Sequence, residues 1–200
     1  AVHRGINILL TTEDQPFTRD FILPVGNLRE SARNASRADI VIVSKCSDFQ
    51  KVDKSYFNNK INNKNLFFST INYGSVLGLS NTNELSMDER KNVILVTGIA
   101  NSKKLFQHLE KSHTILHHFN FRDHHNFSKS DVSKIHAIFD TFANQNPIIL
   151  TTEKDAMRLS VDEMKEVTND YPWYYQSIKV ELDRPEEFNK LIKDYVEANI

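Results

Sequence analysis

The chain predicts an α/β fold, a three-layer and mostly parallel sheet flanked by helices, and three observations carry that expectation. Short, nearly all-apolar runs rich in β-branched residues occur at Ala38 to Val43, Val93 to Val96 and Pro147 to Leu150. Runs of that kind are strands covered on both faces, as in a parallel sheet. Between them, apolar residues recur at helical spacing, so strand and helix alternate along most of the chain. Finally, 200 residues with 40% hydrophobic content suffice for one compact domain with a buried core.

Each element has its own signal. Ile6 to Leu10 reads as a short buried strand. Phe21-Ile22-Leu23 then meets Pro24 and Gly26, which punctuate rather than extend a segment, and Asn27 to Arg37 can form a helix. Ala38 to Val43 supplies the strand at the centre of the fold. Ser47 or Asp48 can cap a helix whose apolar positions are Val52, Tyr56, Phe57 and Ile61, before a turn at Asn62 to Asn65. Leu66-Phe67-Phe68 starts another strand. Residues 71 to 84 carry Gly74, Gly78 and Asn81 between short apolar pieces, the pattern of an irregular or hairpin excursion.

In the second half, Val93 to Val96 is a strand ended by Gly98. A helix from about Ser102 follows, with Leu105, Phe106 and Leu109 on one face. Thr114 to Phe121 is the next strand, and Ser128 or Ser130 caps a helix striped by Val132, Ile135, Ile138, Phe139 and Phe142. Pro147 to Leu150 gives a further strand, with a helix beginning in Thr151 to Ala156. Trp173 to Leu182 alternates as a late strand. Pro185 opens a final helix whose buried face would be Phe188, Leu191, Ile192, Tyr195 and Val196.

Charge and composition narrow the function. Lys and Arg number 25 against 26 Asp and Glu, a formal net charge of −1, so bulk electrostatics do not advertise a nucleic-acid partner. A lone cysteine, Cys46, rules out an internal disulfide and reads as a small buried apolar side chain. No apolar run approaches the roughly 18 residues of a membrane span. The chain starts at Ala1 and enters a strand almost at once, which reads as a piece of a longer protein.

Chemistry concentrates where strands run into loops or helices, the place where open α/β sheets bind ligands. Three polar clusters fall there: Asn27-Leu28-Arg29-Glu30, Asp123-His124-His125, and Thr152-Glu153-Lys154-Asp155. In the second, an aspartate can hold one imidazole nitrogen while the other faces a substrate hydroxyl, the geometry of a general base. The competing reading is a histidine that merely supports the next helix. Arg29 offers a planar fork for phosphate or carboxylate, and Glu30 can tether it or accept a sugar hydroxyl; an exposed ion pair is the plainer alternative. Lys154 near a helix start can meet an anion. His117-His118 with His124-His125 invites a metal reading, weakened because neighbouring strand residues face opposite ways. No G-x-x-x-x-G-K-[ST] phosphate cradle occurs.

Six pieces stand in one order: Gly5 to Leu10, Phe21 to Glu30, Arg37 to Lys45, Val96 to Asn101, Phe121 to His125 and Thr151 to Ala156. Together they resemble the tetraacyldisaccharide 4′-kinase family, the lipid A 4′-kinases of Gram-negative bacteria, with wording similar to the Bacteroidetes branch. The tail after Ser160 matches only in its strand and helix pattern. The resemblance implies a P-loop NTPase-like fold lacking the P-loop half, so that residues 1–200 form a single α/β domain, the carboxyl-terminal portion of the enzyme.

It further implies an ATP-dependent phosphotransferase that phosphorylates the 4′-hydroxyl of a tetraacyldisaccharide 1-phosphate. ATP and Mg2+ would both need the region upstream. The partners implied are the lipid disaccharide and the cytoplasmic face of the bacterial inner membrane, with no nucleic acid. His124 and Asp123 are the candidate catalytic residues, and the resemblance implies that His124, paired with an aspartate of the upstream region, helps activate the sugar hydroxyl. Arg29 and Glu30 would line the nucleotide or sugar cleft and Lys154 would bind there too, with His124, Arg29 and Lys154 converging on one cleft edge. His3-Arg4 does not complete the family's Asp-Asp-Gly-Phe-Gln-His-Arg motif, and His3 is read as ordinary. Two rivals are an Asp-His-His metal-dependent phosphoesterase, whose upstream Asp-x-Asp cluster is missing, and a non-catalytic binding domain.

Overall fold

The structure, a computed structural model, describes residues 5–61, 65–81 and 83–199. Most of the turn read at Asn62 to Asn65, and His3-Arg4, lie outside them. In chain order the elements are β1 (Ile8–Thr12), β2 (Ile40–Cys46), α1 (Lys54–Lys60), β3 (Leu66–Gly78), β4 (Glu84–Leu85), β5 (Asn92–Thr97) and α2 (Lys103–Leu109). There follow β6 (Thr114–Asn120), α3 (Lys129–Thr141), β7 (Ile148–Thr152), α4 (Glu153–Leu159), α5 (Asp162–Thr168), β8 (Trp173–Leu182) and α6 (Pro185–Ala198). Strands and helices alternate as expected, and the pairing is mostly parallel. The chain forms two compact units, Ala1–Asn72 with Lys179–Ile200, and Tyr73–Ile178.

In the first unit β1, β2 and β3 run parallel, with Leu9 opposite Val41 and Val41 opposite Leu66. Val41, Val43, Val52, Phe57, Ile61, Leu66 and Phe68 form its core. Expected to be buried, β1 is instead an edge strand. Leu9 packs on that core, while Leu10 is 65% exposed, since alternate side chains of a strand leave on opposite faces. α1 is capped by Asp53, whose carboxylate accepts from the Tyr56 N–H at 2.8 Å, rather than by Ser47 or Asp48. Asp48 accepts instead from Gln50 N–H at 2.9 Å, a turn that delays the helix. The helix expected over 27 to 37 shrinks to a 3-10 turn at Ala32–Arg37. Leu28 is committed to closing the preceding loop, donating to Phe21 O while its own carbonyl accepts from Leu23 N–H. Gly26 is needed there, because a Cβ would collide with the Asp20 carboxylate and the Phe21 backbone. α6 buries less than its pattern predicts: Phe188 meets Phe67 edge-on at 5.5 Å, yet Val196 is exposed.

The second unit is layered as predicted. β6, β5, β7 and β8 are parallel neighbours in that order. Period-2 alternation divides their side chains between two cores. Ile94, Val96 and Ile149 pack with Val132, Ile135, Leu159 and Met164 from α3, α4 and α5, whereas Val93, Leu95, Ile148 and Leu150 pack with Leu105 and Leu109 from α2. Each of these fully buried side chains is worth roughly 1.5–3 kcal/mol over exposure. Both faces are covered, which is why these strands read as unbroken apolar runs. The excursion at 71 to 84 is a hairpin in which Val76 pairs antiparallel with Leu85.

Candidate functional site

β6 and β7 deliver their carboxyl ends beside that of β5, and the polar clusters of the second unit collect there. At the end of β7, Thr152 caps α4, its hydroxyl accepting from Asp155 N–H at 3.1 Å. That cap aims the Asp155 carboxylate inward, where it is fully buried. Oδ2 accepts from the Gly98 N–H and from the Thr152 hydroxyl, both at 2.8 Å. Oδ1 accepts from Arg158 Nη1 at 3.0 Å, and the same nitrogen donates to Gly98 O at 3.2 Å. Gly98 ends the β5 run, and a Cβ there would lie 3.1 Å from Asp155 Oδ1. A buried carboxylate must be satisfied in this way to be tolerated.

The β6–α3 loop approaches from the other side. His124 sits at φ 58, in the left-handed region that His visits more readily than most residues. Its N–H donates to Asp123 Oδ1 at 2.9 Å, and its Nδ1 lies 3.1 Å from Arg158 Nη2. Nε2 is 3.6 Å from Asp123 Oδ2. Lys154 Nζ reaches Asp123 Oδ1 at 3.1 Å. The Lys154 hydrogen bond holds the Asp123 carboxyl below its usual range against the upward push of desolvation, and the His124 backbone and ring add smaller pulls downward. An open pocket of about 420 Å³ adjoins this cluster, with Asn101, Ser102, Lys103, Asn120, Arg122 and Asp123 among its lining.

His125 does something else. It stacks on Phe121 at 4.4 Å, and its Nε2 lies 3.1 Å from Asp131 Oδ2. Asp131 forms the capping box of α3 with Ser128, and although burial raises its carboxyl, the bonds from Ser128 and His125 outweigh that and leave it lowered. His125 therefore has the supporting role, and His124 the exposed one. His117 is exposed, while the ring of His118 turns to Thr97, 2.9 Å from Nε2 to Oγ1. Among the described residues no group of three or more His, Cys, Asp or Glu could hold a metal ion.

Of the residues singled out in the sequence, Asp123, His124 and Lys154 come together. Arg29 and Glu30 belong to the first unit. Arg29 is exposed, and Glu30 is tied within its own turn, accepting from Asn34 at 2.8 Å and Arg37 at 2.6 Å. Those bonds, Asn34 first, lower its carboxyl. Arg158 and the inward role of Asp155 were not picked out. The Thr-x-x-Asp cap followed by Arg at i+3 was the available signal.

A mostly parallel sheet with its polar groups gathered at the strand ends places the protein in the open α/β class. The solved structure of LpxK from Aquifex aeolicus in complex with ATP has this fold. It superposes with a TM-score of 0.62 over 96% of this chain and 53% of that one, at 23% identity. The family assignment rests on sequence: the model for tetraacyldisaccharide-1-P 4′-kinase matches residues 1–197, and the chain belongs to that family. Tetraacyldisaccharide 4′-kinases of Bacteroides fragilis and Phocaeicola vulgatus are 34% and 36% identical over 99% of this chain, covering 56% and 57% of their own lengths. That of Flavobacterium psychrophilum is 32% identical, with 99% and 57% covered. The chain thus spans about half the length of the curated relatives it matches.

Proposed function

We propose that this chain is the carboxyl-terminal portion, a single α/β domain, of an ATP-dependent tetraacyldisaccharide 4′-kinase of lipid A biosynthesis. The acceptor would be the 4′-hydroxyl of a tetraacyldisaccharide 1-phosphate, met at the cytoplasmic face of the inner membrane. The observation that supports this most is the convergence of Asp123, His124 and Lys154 at the strand ends of a chain belonging to the kinase family. Phosphoryl transfer is mainly positioning and charge stabilisation. The acceptor hydroxyl must also lose a proton, and His124, 75% exposed at its side chain, would help that step through its ring N–H, by orienting a carboxylate base supplied by the part of the enzyme upstream. Lys154 would offer positive charge to an anionic substrate group.

ATP and Mg2+ do not fit the residues of this chain by themselves. The sequence holds no G-x-x-x-x-G-K-[ST], and the described residues form no metal-ligand group. We therefore derive no step through either, and assign both to the part of the enzyme that the relatives carry in addition. Family membership favours the kinase over the Asp-His-His phosphoesterase reading. None of the helices is long and apolar enough to cross a membrane among the described residues, so contact with the bilayer would be peripheral for this part.

The test is turnover of the disaccharide 1-phosphate by the full-length kinase. His124→Ala should lower kcat by about two to four orders of magnitude, with a far smaller change in KM. An unchanged rate removes His124 from the reaction. The 200-residue chain assayed alone should give no turnover.

A further inference from the structure

We infer that Arg158 is a positioning residue that fixes both the orientation and the tautomer of His124. The consequence for catalysis rests on the reading of His124 given above, but the geometry has a readout of its own. The His124 side chain is 75% exposed, so packing does not hold the ring. Two polar neighbours do. Arg158 Nη2 is at hydrogen-bond distance from Nδ1, 3.1 Å, while Asp123 Oδ2 stands off at 3.6 Å from Nε2.

A guanidinium has donors only. Nδ1 must therefore accept, and the proton of the neutral ring is placed on Nε2, facing the Asp123 carboxylate. The ring presents a donor at Nε2 and has no free lone pair at Nδ1.

What makes Arg158 able to do this is its own anchorage. Its Nη1 is spent on Asp155 Oδ1 and Gly98 O, and Asp155 is completely buried, with its other oxygen taken by Gly98 N–H and Thr152. The ends of β5 and β7 thus set the position of one terminal nitrogen, and the rigid plane of the guanidinium sets the other. Lysine, a single point charge on a flexible stem, can satisfy Asp155 or reach His124 but cannot hold both in fixed geometry.

The experiment combines histidine nitrogen NMR and kinetics, both on the full-length kinase, using wild type and Arg158→Lys. In wild type near pH 7.5, His124 should show one tautomer, Nδ1 unprotonated and Nε2 protonated. In Arg158→Lys, which keeps a cation beside Asp155 and so keeps the fold, the two ring nitrogens should move toward the averaged shifts of a free imidazole. In the kinase, kcat should fall by about 10- to 100-fold with KM little changed, and the pH profile of kcat/KM should move with it. A protonated Nδ1 in wild type, or identical His124 nitrogen shifts in wild type and in folded Arg158→Lys, overturns the inference. Should the shifts change as expected while neither Arg158→Lys nor His124→Ala alters kcat, the positioning holds and the catalytic assignment of His124 fails.

Discussion

Lys154 Nζ lies 3.1 Å from Asp123 Oδ1, so the first turn of α4 is tied to the β6–α3 loop by two charges that the sequence had presented as separate candidates. The pair is partly exposed, 45% and 36% at the side chains, and an exposed pair of this kind adds little to stability. Its visible effect is electrostatic. Because the Lys154 hydrogen bond is the largest cause of the lowered Asp123 titration, Lys154→Met should bring that carboxyl back up toward the ordinary aspartate range while leaving the melting temperature nearly unchanged. Carboxyl-carbon NMR titration of Asp123 measures the first, and thermal unfolding the second. An Asp123 curve that does not move would show that the lysine is not what holds it down.

Asp155 should behave in the opposite way. It is completely buried and bonded to Gly98, Thr152 and Arg158, so Asp155→Ala strands the Gly98 N–H and uncouples a half-buried guanidinium. Breaking a buried, hydrogen-bonded ion pair from one side costs about 3–5 kcal/mol, a large share of the stability of an ordinary domain. Urea unfolding of the variant should show a loss of this size; a loss like that of a surface substitution would mean the network carries no structural weight.

Gly98 tests how tightly the same corner is packed. A Cβ there would stand 3.1 Å from Asp155 Oδ1, 3.4 Å from the His125 Cβ and 3.5 Å from the Phe127 ring. The neighbours must give way by a few tenths of an ångström, and overpacking of a filled site costs typically about 1–3 kcal/mol. Gly98→Ala is expected to destabilise within that range and to perturb the Asp155 and His124 NMR signals together. Perturbation of neither would place Gly98 outside the network.

How far these features were legible follows from where the information lies. Val93 to Val96 and Ile148 to Leu150 were readable because a strand buried on both faces must be apolar throughout. The length of β3, Leu66–Gly78, was not, since Gly74 and Gly78 look like breakers. Gly74 is in fact demanded by its partner strand, a Cβ there falling 2.7 Å from Ser177 Oγ. α5 went unread because seven residues with Met164 and Val167 facing the core give too short a period. The exposure of Leu10 and the cap at Asp53 depend on sheet order and on a local turn, neither of which periodicity records. In the candidate site, the proximity of Asp123, His124 and Lys154 was legible because all three stand at strand-to-helix junctions. Arg158 was not, because its contact with His124, 34 residues away in sequence, exists only once β5, β6 and β7 lie side by side.

The last prediction concerns acid stability. His136 is buried, stacks on Tyr171 at 3.6 Å with an interplanar angle of 8°, and accepts from Trp173 Nε1 at 2.9 Å. Burial lowers its titration below the histidine reference, outweighing the upward pull of Asp140 and Asp170. The unfolded chain therefore takes up this proton at about pH 6.5, while the folded protein resists it until a lower pH. Between those two values the unfolded state binds more protons, so stability falls as pH is lowered through the window, levels off below the folded value, and does not depend on this group above about 6.5. The slope from one such group is at most about 1.4 kcal/mol per pH unit. Burial lowers His108, His113 and His118 as well, so the total slope is shared. His136→Gln, which keeps an acceptor for Trp173, should flatten it in part and leave the remainder to the other three. Urea unfolding at pH 7.5, 6.5 and 5.5 on both proteins measures the difference, and equal slopes would mean that His136 titrates in the folded protein as it does in the unfolded chain.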